Sequence, residues 1–244
     1  MDLVELRQRI HAIELGESTG RTAKQPLLTF GVDAIDNILP WGGLPLGSLH
    51  EVVASQAQHA SFCAALLGRM KSTGHAGGIV WCSKQPLYTL GLHAFGLSPE
   101  QFIFVEPKSD KEALWVLEEA LSAPGLLAVV GEGVSLTPQI GRRLQLAAKQ
   151  SGVVAFLLLD AKARHSEHVA VTRWQVQPLP SGNAPGRFAD DGVGHTRFEL
   201  SLVRCRGAVV PQMWSMEWNA EDLSFNLFSR EHLRQTVRTA RAVG

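Results

Sequence analysis

The order of apolar runs and of helically spaced apolar residues is the clearest pattern in the middle of the chain. Continuous apolar runs predict strands buried on both faces at 78–82, 126–130 and 153–159, and 48–53 (SLHEVV) is predicted to be the first core strand. Apolar residues at helical spacing between the runs predict helices at 61–70, 113–121 and 138–150. Strands and helices that alternate in this way form mostly parallel sheets flanked by helices. The pattern therefore predicts one α/β core.

The last third of the chain changes to a two-residue period. Residues 171–177, 196–204 and 211–218 alternate apolar and polar side chains. This alternation is typical of antiparallel strands with one face in solvent. The segment 181–194 is rich in Gly, Asp and Pro and is predicted to be a loop between two of these strands. We expect antiparallel C-terminal strands beside the parallel sheet.

Both ends of the chain are predicted to be amphipathic helices. The N-terminal apolar residues at helical spacing are Leu3, Leu6, Ile10 and Ile13. The polar segment 16–24 then predicts a linker. The helix is either an arm that reaches a neighbouring molecule or an element that folds back on its own domain. We expect three parts: a helix and linker at 1–24, a core domain at 25–228 and a C-terminal helix at 229–244.

The C-terminal helix is basic along one face. Its arginines are Arg230, Arg234, Arg238 and Arg241, and its apolar residues are Leu233 and Val237. The spacing of the arginines places them along one side of a helix. This face is either a solvated surface or a docking strip for an acidic partner surface or for DNA phosphates.

Composition excludes several classes of protein. The chain has 244 residues, 45% of them hydrophobic, with 23 basic and 23 acidic residues. A zero formal charge argues against binding of nucleic acid by a broadly basic surface, so any DNA contact must be local. No apolar run approaches the ~20 residues of a membrane span, and the chain start does not resemble a signal peptide. We expect a cytoplasmic protein with no membrane contact. Cys63, Cys82 and Cys205 are expected to be buried reduced thiols.

Four segments resemble RecA-type recombinases in their order and spacing. They are 29–36 (TFGVDAID), 41–47 (WGGLPLG), 128–138 (AVVGEGVSLTP) and 196–207 (TRFELSLVRCRG). The first two resemble the lead-in to the RecA ATP site. The third resembles the strand with the magnesium-associated aspartate and its LTP turn, and the fourth resembles a segment of alternating residues with basic ends. The resemblance runs from about residue 27 to about residue 219 and implies a RecA-like core.

The phosphate-binding loop expected after the first core strand is degenerate. Residues 54–61 (ASQAQHAS) keep only the last position of the template G-x-x-x-x-G-K-[ST]. Glycines let backbone N–H groups close around a phosphate, and the lysine reaches the outer phosphates. Ala54 and His59 replace the glycines, and Ala60 replaces the lysine. The sequence therefore predicts a nucleotide-binding scaffold without its chemistry.

The other groups that phosphoryl transfer requires are missing from their expected places. Gly131 occupies the position of the magnesium-associated aspartate, and Ser83 and Lys84 occupy that of the glutamate base. Because the reaction depends on positioning and charge stabilisation, losing these groups should abolish it. His59 is expected to be an inert, exposed loop histidine. We therefore expect no catalytic residue, no cofactor and no enzyme activity. The alternative is weak nucleotide binding through the remaining backbone shape.

Two further features bear on binding. His165, Glu167 and His168 resemble a metal cluster only superficially, because no second ligand group has suitable spacing, so no metal site is expected. RecA binds single-stranded DNA through two loops. Pro138 runs directly into the helix with Arg142 and Arg143, so the first loop looks deleted, and 161–168 is a short remnant of the second. Filament-style DNA binding by the core is not expected.

The segment 39–51 (LPWGGLPLGSLHE) is similar to a segment shared by the ImuA family of RecA-related accessory proteins. This resemblance implies a non-catalytic adaptor in SOS-induced mutagenic translesion DNA synthesis. It would link an ImuB-type polymerase-like protein and the α subunit of an error-prone polymerase III, with RecA as a further contact. Two alternatives stay open: a cell-division inhibitor resembling SulA, which is also a RecA-like fold without a nucleotide site, and a divergent RecA-type ATPase.

Overall fold

The structure, a computed structural model, describes residues 26–54, 56–134, 136–160, 169–181 and 194–229, apart from the side chains of residues 56–58. The described chain forms a nine-stranded sheet with helices on both faces and a small two-stranded sheet. The strands are β1 (Leu27–Leu28), β2 (Leu44–Pro45), β3 (Leu49–Ala54), β4 (Gly78–Cys82), β5 (Phe102–Val105), β6 (Leu126–Glu132), β7 (Val154–Asp160), β8 (Thr172–Leu179), β9 (Thr196–Cys205), β10 (Gln212–Asn219) and β11 (Ser224–Leu227). The α-helices are α1 (Asp33–Asp36), α2 (Gln56–Ser72), α3 (Asp110–Ser122) and α4 (Pro138–Ser151), and 3₁₀ helices cover Thr89–Phe95 and Pro99–Gln101.

The large sheet has the strand order β11-β10-β9-β8-β3-β7-β6-β4-β5. Strands β8, β3, β7, β6, β4 and β5 are parallel, and β9, β10 and β11 extend the sheet with antiparallel pairing. The α/β core with a mostly parallel sheet and antiparallel C-terminal strands is confirmed.

The prediction for the 171–177 segment is wrong in one respect. Strand β8 pairs antiparallel with β9 but parallel with β3, so it joins the two halves of the sheet.

Helix α2 covers one face of the sheet and is buried nearly all round. Phe62, Leu66 and Met70 have no exposed surface and pack in the larger core cluster, as their helical spacing predicts. The other side of the helix is also covered, because the 3₁₀ helix Thr89–Phe95 lies against it. A Cβ at Gly68 would lie 2.1 Å from the carbonyl oxygen of Phe95, so only glycine allows this approach.

Helices α3 and α4 cover the opposite face and pack on one another. Each begins where the sequence supplies a cap. Ser109 accepts a hydrogen bond from the N–H of Glu112 at 3.2 Å, and Thr137 accepts one from Ile140 at 3.4 Å. Pro138 is the first residue of α4, and Gly152 ends the helix with a φ of +79°. Strong local signals therefore set the bounds of α4, which the sequence predicted to within a residue.

The antiparallel strands keep one side in the core, as their alternation predicts. Phe198, Leu200 and Leu202 of β9 are buried with Met216 and Trp218 of β10 on the α2 side. The other side of these strands carries Arg197 and Glu217, which form a salt bridge at 2.7 Å. The sequence did not predict β5, β11 or the short elements before β3.

The three cysteines are free and buried, which confirms the expected reduced thiols. Burial raises the pKa of Cys82 to about 11 and that of Cys205 to about 12. Burial likewise raises the pKa of Cys63 well above its usual value. These thiols are therefore weak nucleophiles at neutral pH. Within the described ranges, no helix is both long enough and apolar enough to cross a membrane.

Candidate functional site

The carboxyl ends of β3, β6 and β7 form the edge where parallel α/β proteins bind ligands. The degenerate loop was expected here, between the first core strand and its helix. Strand β3 ends at Ala54 and α2 begins at Gln56, so one residue separates them. The predicted helix start at residue 61 is therefore wrong. The first turns of α2 fill the place of the phosphate-binding loop, and no glycine bend is left to form a cradle.

The position of His59 also corrects the sequence prediction. Its side chain is not in an exposed loop but in the first turns of α2, and the residue is only 3% exposed. The Nε2 atom lies 3.8 Å from Oε1 of Glu132 at the end of β6. Among the described residues, no hydrogen-bond partner is found for its Nδ1 atom. His59 therefore fills space beneath the helix that the loop of an active nucleotide site would enclose.

Glu132 is a residue of the candidate site that sequence reasoning missed. Side chains alternate along a strand, so Gly131 and Glu132 face opposite sides of the sheet. Glu132 faces α2, where its Oε2 accepts a hydrogen bond from the indole N–H of Trp81 at 3.4 Å. Gly131 faces α3, and a Cβ added there would lie 2.8 Å from Cδ1 of Leu117. An aspartate at Gly131 would thus collide with Leu117 on the side away from the candidate site.

The electrostatics of this site are unfavourable for a polyphosphate. Burial lowers the pKa of His59 below its usual value, while the carboxylates of Glu132 and Asp160 oppose that shift. The ring is therefore neutral at neutral pH, and the charges acting on it are negative. A nucleotide tail placed here would lie near these two carboxylates, and Ala60 stands where the template has its lysine. The described residues form a packed, polar closure at this edge of the sheet.

The residues at the place of the glutamate base have structural roles. The hydroxyl of Ser83 donates to the carbonyl of Gln85 at 2.9 Å and accepts from its N–H at 3.0 Å. Lys84 is on the surface, where its ammonium group pairs with Asp110 at the start of α3. The two residues fix the chain after β4.

His50 and Glu51, at the end of the family-like segment, hold the strands below the site. Both ring nitrogens of buried His50 are engaged: Nδ1 lies 2.8 Å from the hydroxyl of Thr172 and Nε2 lies 3.0 Å from the carbonyl oxygen of Pro45. Burial lowers the pKa of His50 to about 4. Glu51 accepts a hydrogen bond from Nε of Arg173 at 2.7 Å, and this ion pair is also buried. The two residues therefore fasten β3 to β2 and β8.

Several predicted residues lie outside the described ranges. They are the arm residues Leu3, Leu6, Ile10 and Ile13, the C-terminal residues Arg230, Leu233, Arg234, Val237, Arg238 and Arg241, and the polar residues His165, Glu167 and His168. Their assignments stay predictions. Among the described residues, no cluster of three or more His, Cys, Asp and Glu residues is arranged to hold a metal ion.

Solved structures with the same arrangement of strands and helices identify the class of fold. The RadB recombinase superposes with a TM-score of 0.57 at 14% identity, covering 83% of this chain and 100% of that chain. The KaiC-like protein PH0186 from Pyrococcus horikoshii OT3 superposes with a TM-score of 0.55 at 11% identity, covering 84% and 100%. The chain thus has a RecA-like fold.

Sequence comparison gives the family. The chain is 34% identical over 204 residues to Protein ImuA of Caulobacter vibrioides, in strain NA1000 / CB15N and in strain ATCC 19089 / CIP 103742 / CB 15. The match covers 77% of this chain and 82% of that protein. The chain belongs to the ImuA family. No family model matches it.

Proposed function

We propose that this protein is a non-catalytic RecA-like adaptor in SOS-induced mutagenic translesion DNA synthesis. It would join an ImuB-type polymerase-like protein to the α subunit of an error-prone polymerase III, with RecA as a further contact and with DNA touched only locally. Its mechanism is recruitment, because tethering two components raises the effective concentration of one near the other.

The replacement of the phosphate-binding loop by the first turns of α2 is the observation that carries this proposal. Buried His59 lies against Glu132 under those turns, at 3.8 Å. Rebuilding a phosphate cradle would require moving this pair and unwinding the start of a buried helix. A RecA-like scaffold that does not turn over nucleotide is suited to presenting surfaces to partners. Membership of the ImuA family supports the choice of an ImuB-type partner.

Co-purification from purified components tests the proposal. The full chain is immobilised and mixed separately with an ImuB-type protein, the polymerase III α subunit, RecA and a tubulin-like division protein. We expect capture of the ImuB-type protein, equal in the presence and absence of ATP and Mg²⁺. Capture of the division protein alone would instead favour a SulA-like inhibitor. Capture that requires ATP would favour a divergent ATPase.

A further inference from the structure

An open groove lies beside the closed site, between α2 and the segment that follows β4. Its volume is about 420 Å³. Ala60 and Ala64 of α2 line one wall, and Leu87, Tyr88 and Phe95 line the other. Such a volume lies within the range of about 300–1,000 Å³ that is typical of sites for small ligands. The groove is therefore wide enough to admit a large side chain between mostly apolar walls.

Glu132, at the carboxyl end of β6, also lines the groove and is its acidic group. Among the described residues, the only hydrogen bond that its carboxylate accepts is the long one from the Trp81 indole, at 3.4 Å. The ring of His59, 3.8 Å away, is neutral at neutral pH, as argued above. A carboxylate can accept about four hydrogen bonds. Most of the acceptor capacity of Glu132 is therefore left for a donor that the described residues do not supply.

Two other glutamates that are largely withdrawn from solvent have the arginine partner that Glu132 lacks. Glu51, with its side chain 6% exposed, accepts from Arg173 at 2.7 Å, and Glu217, 20% exposed, accepts from Arg197 at 2.7 Å. The side chain of Glu132 is 17% exposed, within the same range. A charge so far from water is costly unless it is paired. Neither lysine nor arginine is among the described residues that line the groove, so a guanidinium for Glu132 would have to come from another molecule.

The groove suits an arginine in shape as well as in charge. An arginine packs its aliphatic stem on apolar surface while its charged end reaches a polar partner, here the carboxylate of Glu132. The ring of Tyr88 is 73% exposed and rests against the backbone, because a Cβ at Gly91 would lie only 3.1 Å from its Cδ1 atom. A supported aromatic ring is a good surface for an arginine stem or for an apolar side chain beside it.

We infer that the groove binds an arginine side chain of a partner protein, with its guanidinium on Glu132 and a neighbouring apolar residue of the partner against Leu87 and Tyr88. A nucleic acid does not fit the groove, because its phosphates would face the same carboxylate. The inference does not depend on the particular partners proposed above, because any accessible segment with this pair of side chains has the required chemistry.

Tyr88 is the one tyrosine of the chain, which allows the groove to be observed directly. Incorporating 3-fluorotyrosine into the full-length protein gives a single fluorine resonance in the groove. The labelled protein is titrated with a capped leucine–arginine–leucine peptide and with a matched peptide in which citrulline, the uncharged isostere, replaces arginine. We expect a saturable shift of the resonance with the arginine peptide and about tenfold weaker binding of the citrulline peptide, which lacks the charge-assisted hydrogen bonds.

Three variants assign the binding to the groove. Glu132→Gln keeps the size of the side chain and an acceptor for the Trp81 indole, so the two peptides should then bind equally weakly, to within about twofold. Ala60→Leu fills the groove without a change of charge and should abolish the shift. The matched control is Glu119→Gln, which removes an exposed carboxylate from α3 on the opposite face of the sheet and should leave both affinities unchanged. Thermal unfolding verifies that each variant is folded.

The absence of a saturable shift with the arginine peptide would overturn the inference, as would equal affinity of the unaltered protein for the two peptides. This comparison needs no variant, so it holds even if Glu132→Gln does not fold. A resonance that moves with protein concentration alone would mean that a second copy occupies the groove, which would also overturn the inference. None of these results bears on capture of an ImuB-type protein, which is measured separately.

Discussion

The Nε2 atom of His59 lies 3.8 Å from Oε1 of Glu132, joining the start of helix α2 to the end of strand β6. In a RecA-like ATPase the space between these elements would hold the nucleotide tail. Here a neutral imidazole and a carboxylate share it, with the Trp81 indole donating to the same carboxylate at 3.4 Å. Specific contacts of His59 and Trp81 with Glu132 therefore close this space, in addition to the loss of the motif residues.

The buried His50 should make stability depend on pH. Its pKa is lowered from 6.5 to about 4, so between these values the unfolded chain binds a proton that the native chain does not. The free energy of unfolding should fall by about 3 kcal/mol as the pH drops from about 6.5 to about 4. Urea unfolding at several pH values measures this. His50→Asn should flatten the slope, whereas the control His93→Asn, at an exposed position, should not. If the slope is unchanged in His50→Asn, groups other than His50 cause the dependence of stability on pH.

Restoring an aspartate at Gly131 should not restore a magnesium site. The new side chain would collide with Leu117, at 2.8 Å from the added Cβ, and would bury a carboxylate. We expect Gly131→Asp to lower the free energy of unfolding by about 2–4 kcal/mol. Combining it with Leu117→Ala should cost less than the sum of the two single changes, because the collision is relieved. Strict additivity in thermal or urea unfolding would show that the two positions do not clash.

The ion pair between Glu51 and Arg173 should be costly to break on one side. Both side chains are buried and 2.7 Å apart. Arg173→Met would leave the Glu51 carboxylate without this partner, so we expect a loss of about 3–5 kcal/mol. The double variant Glu51→Leu with Arg173→Met should recover much of that loss, since replacing both charges by apolar groups is often neutral. If the double variant is as unstable as the single one in urea unfolding, the pair is not the main source of the loss.

Local signals explain how much of the fold was predictable. Apolar runs gave β4 and β7 to within a residue or two, and Pro138 and Gly152 marked the ends of α4. Strand β5 has only four residues and follows two 3₁₀ helices, so its pattern is too short to distinguish a strand from a turn. Strand β8 alternates like an antiparallel strand, and its parallel pairing with β3 depends on sheet order, which alternation does not encode.

For the candidate site, the sequence predicted only that the residues of a phosphate-binding loop are missing. The missing glycines and lysine in 54–61 indicated that the loop had lost its chemistry, but the resemblance to RecA favoured a loop where the structure has a helix. Gln56 to His59 contain neither Gly nor Pro, so local propensity already allowed a helix. The contact of His59 with Glu132 depends on the packing of α2 over β6, and no local pattern reports it.

The basic C-terminal face, for which no structure is described, gives a prediction that rests on sequence alone. Replacing Arg230, Arg234, Arg238 and Arg241 by Gln should weaken capture of an ImuB-type protein, RecA or DNA. The loss should be larger at low salt, since exposed charges are screened as salt rises. Stability should change by about 0.5 kcal/mol or less per substitution. Unchanged affinity for all three at low salt would show a solvated face, and the binding surface would have to lie elsewhere.

Nucleotide turnover by the full chain tests the central claim most directly. The unaltered protein and the Ala60→Lys variant are each incubated with ATP, Mg²⁺ and single-stranded DNA. The variant returns the loop lysine to its template position. We predict no phosphate release above the buffer control for either protein, because α2 occupies the place of the loop and Glu132 repels the phosphates. Turnover by the unaltered protein that disappears in His59→Ala or Glu132→Gln would contradict the account, since these residues would then form an active site.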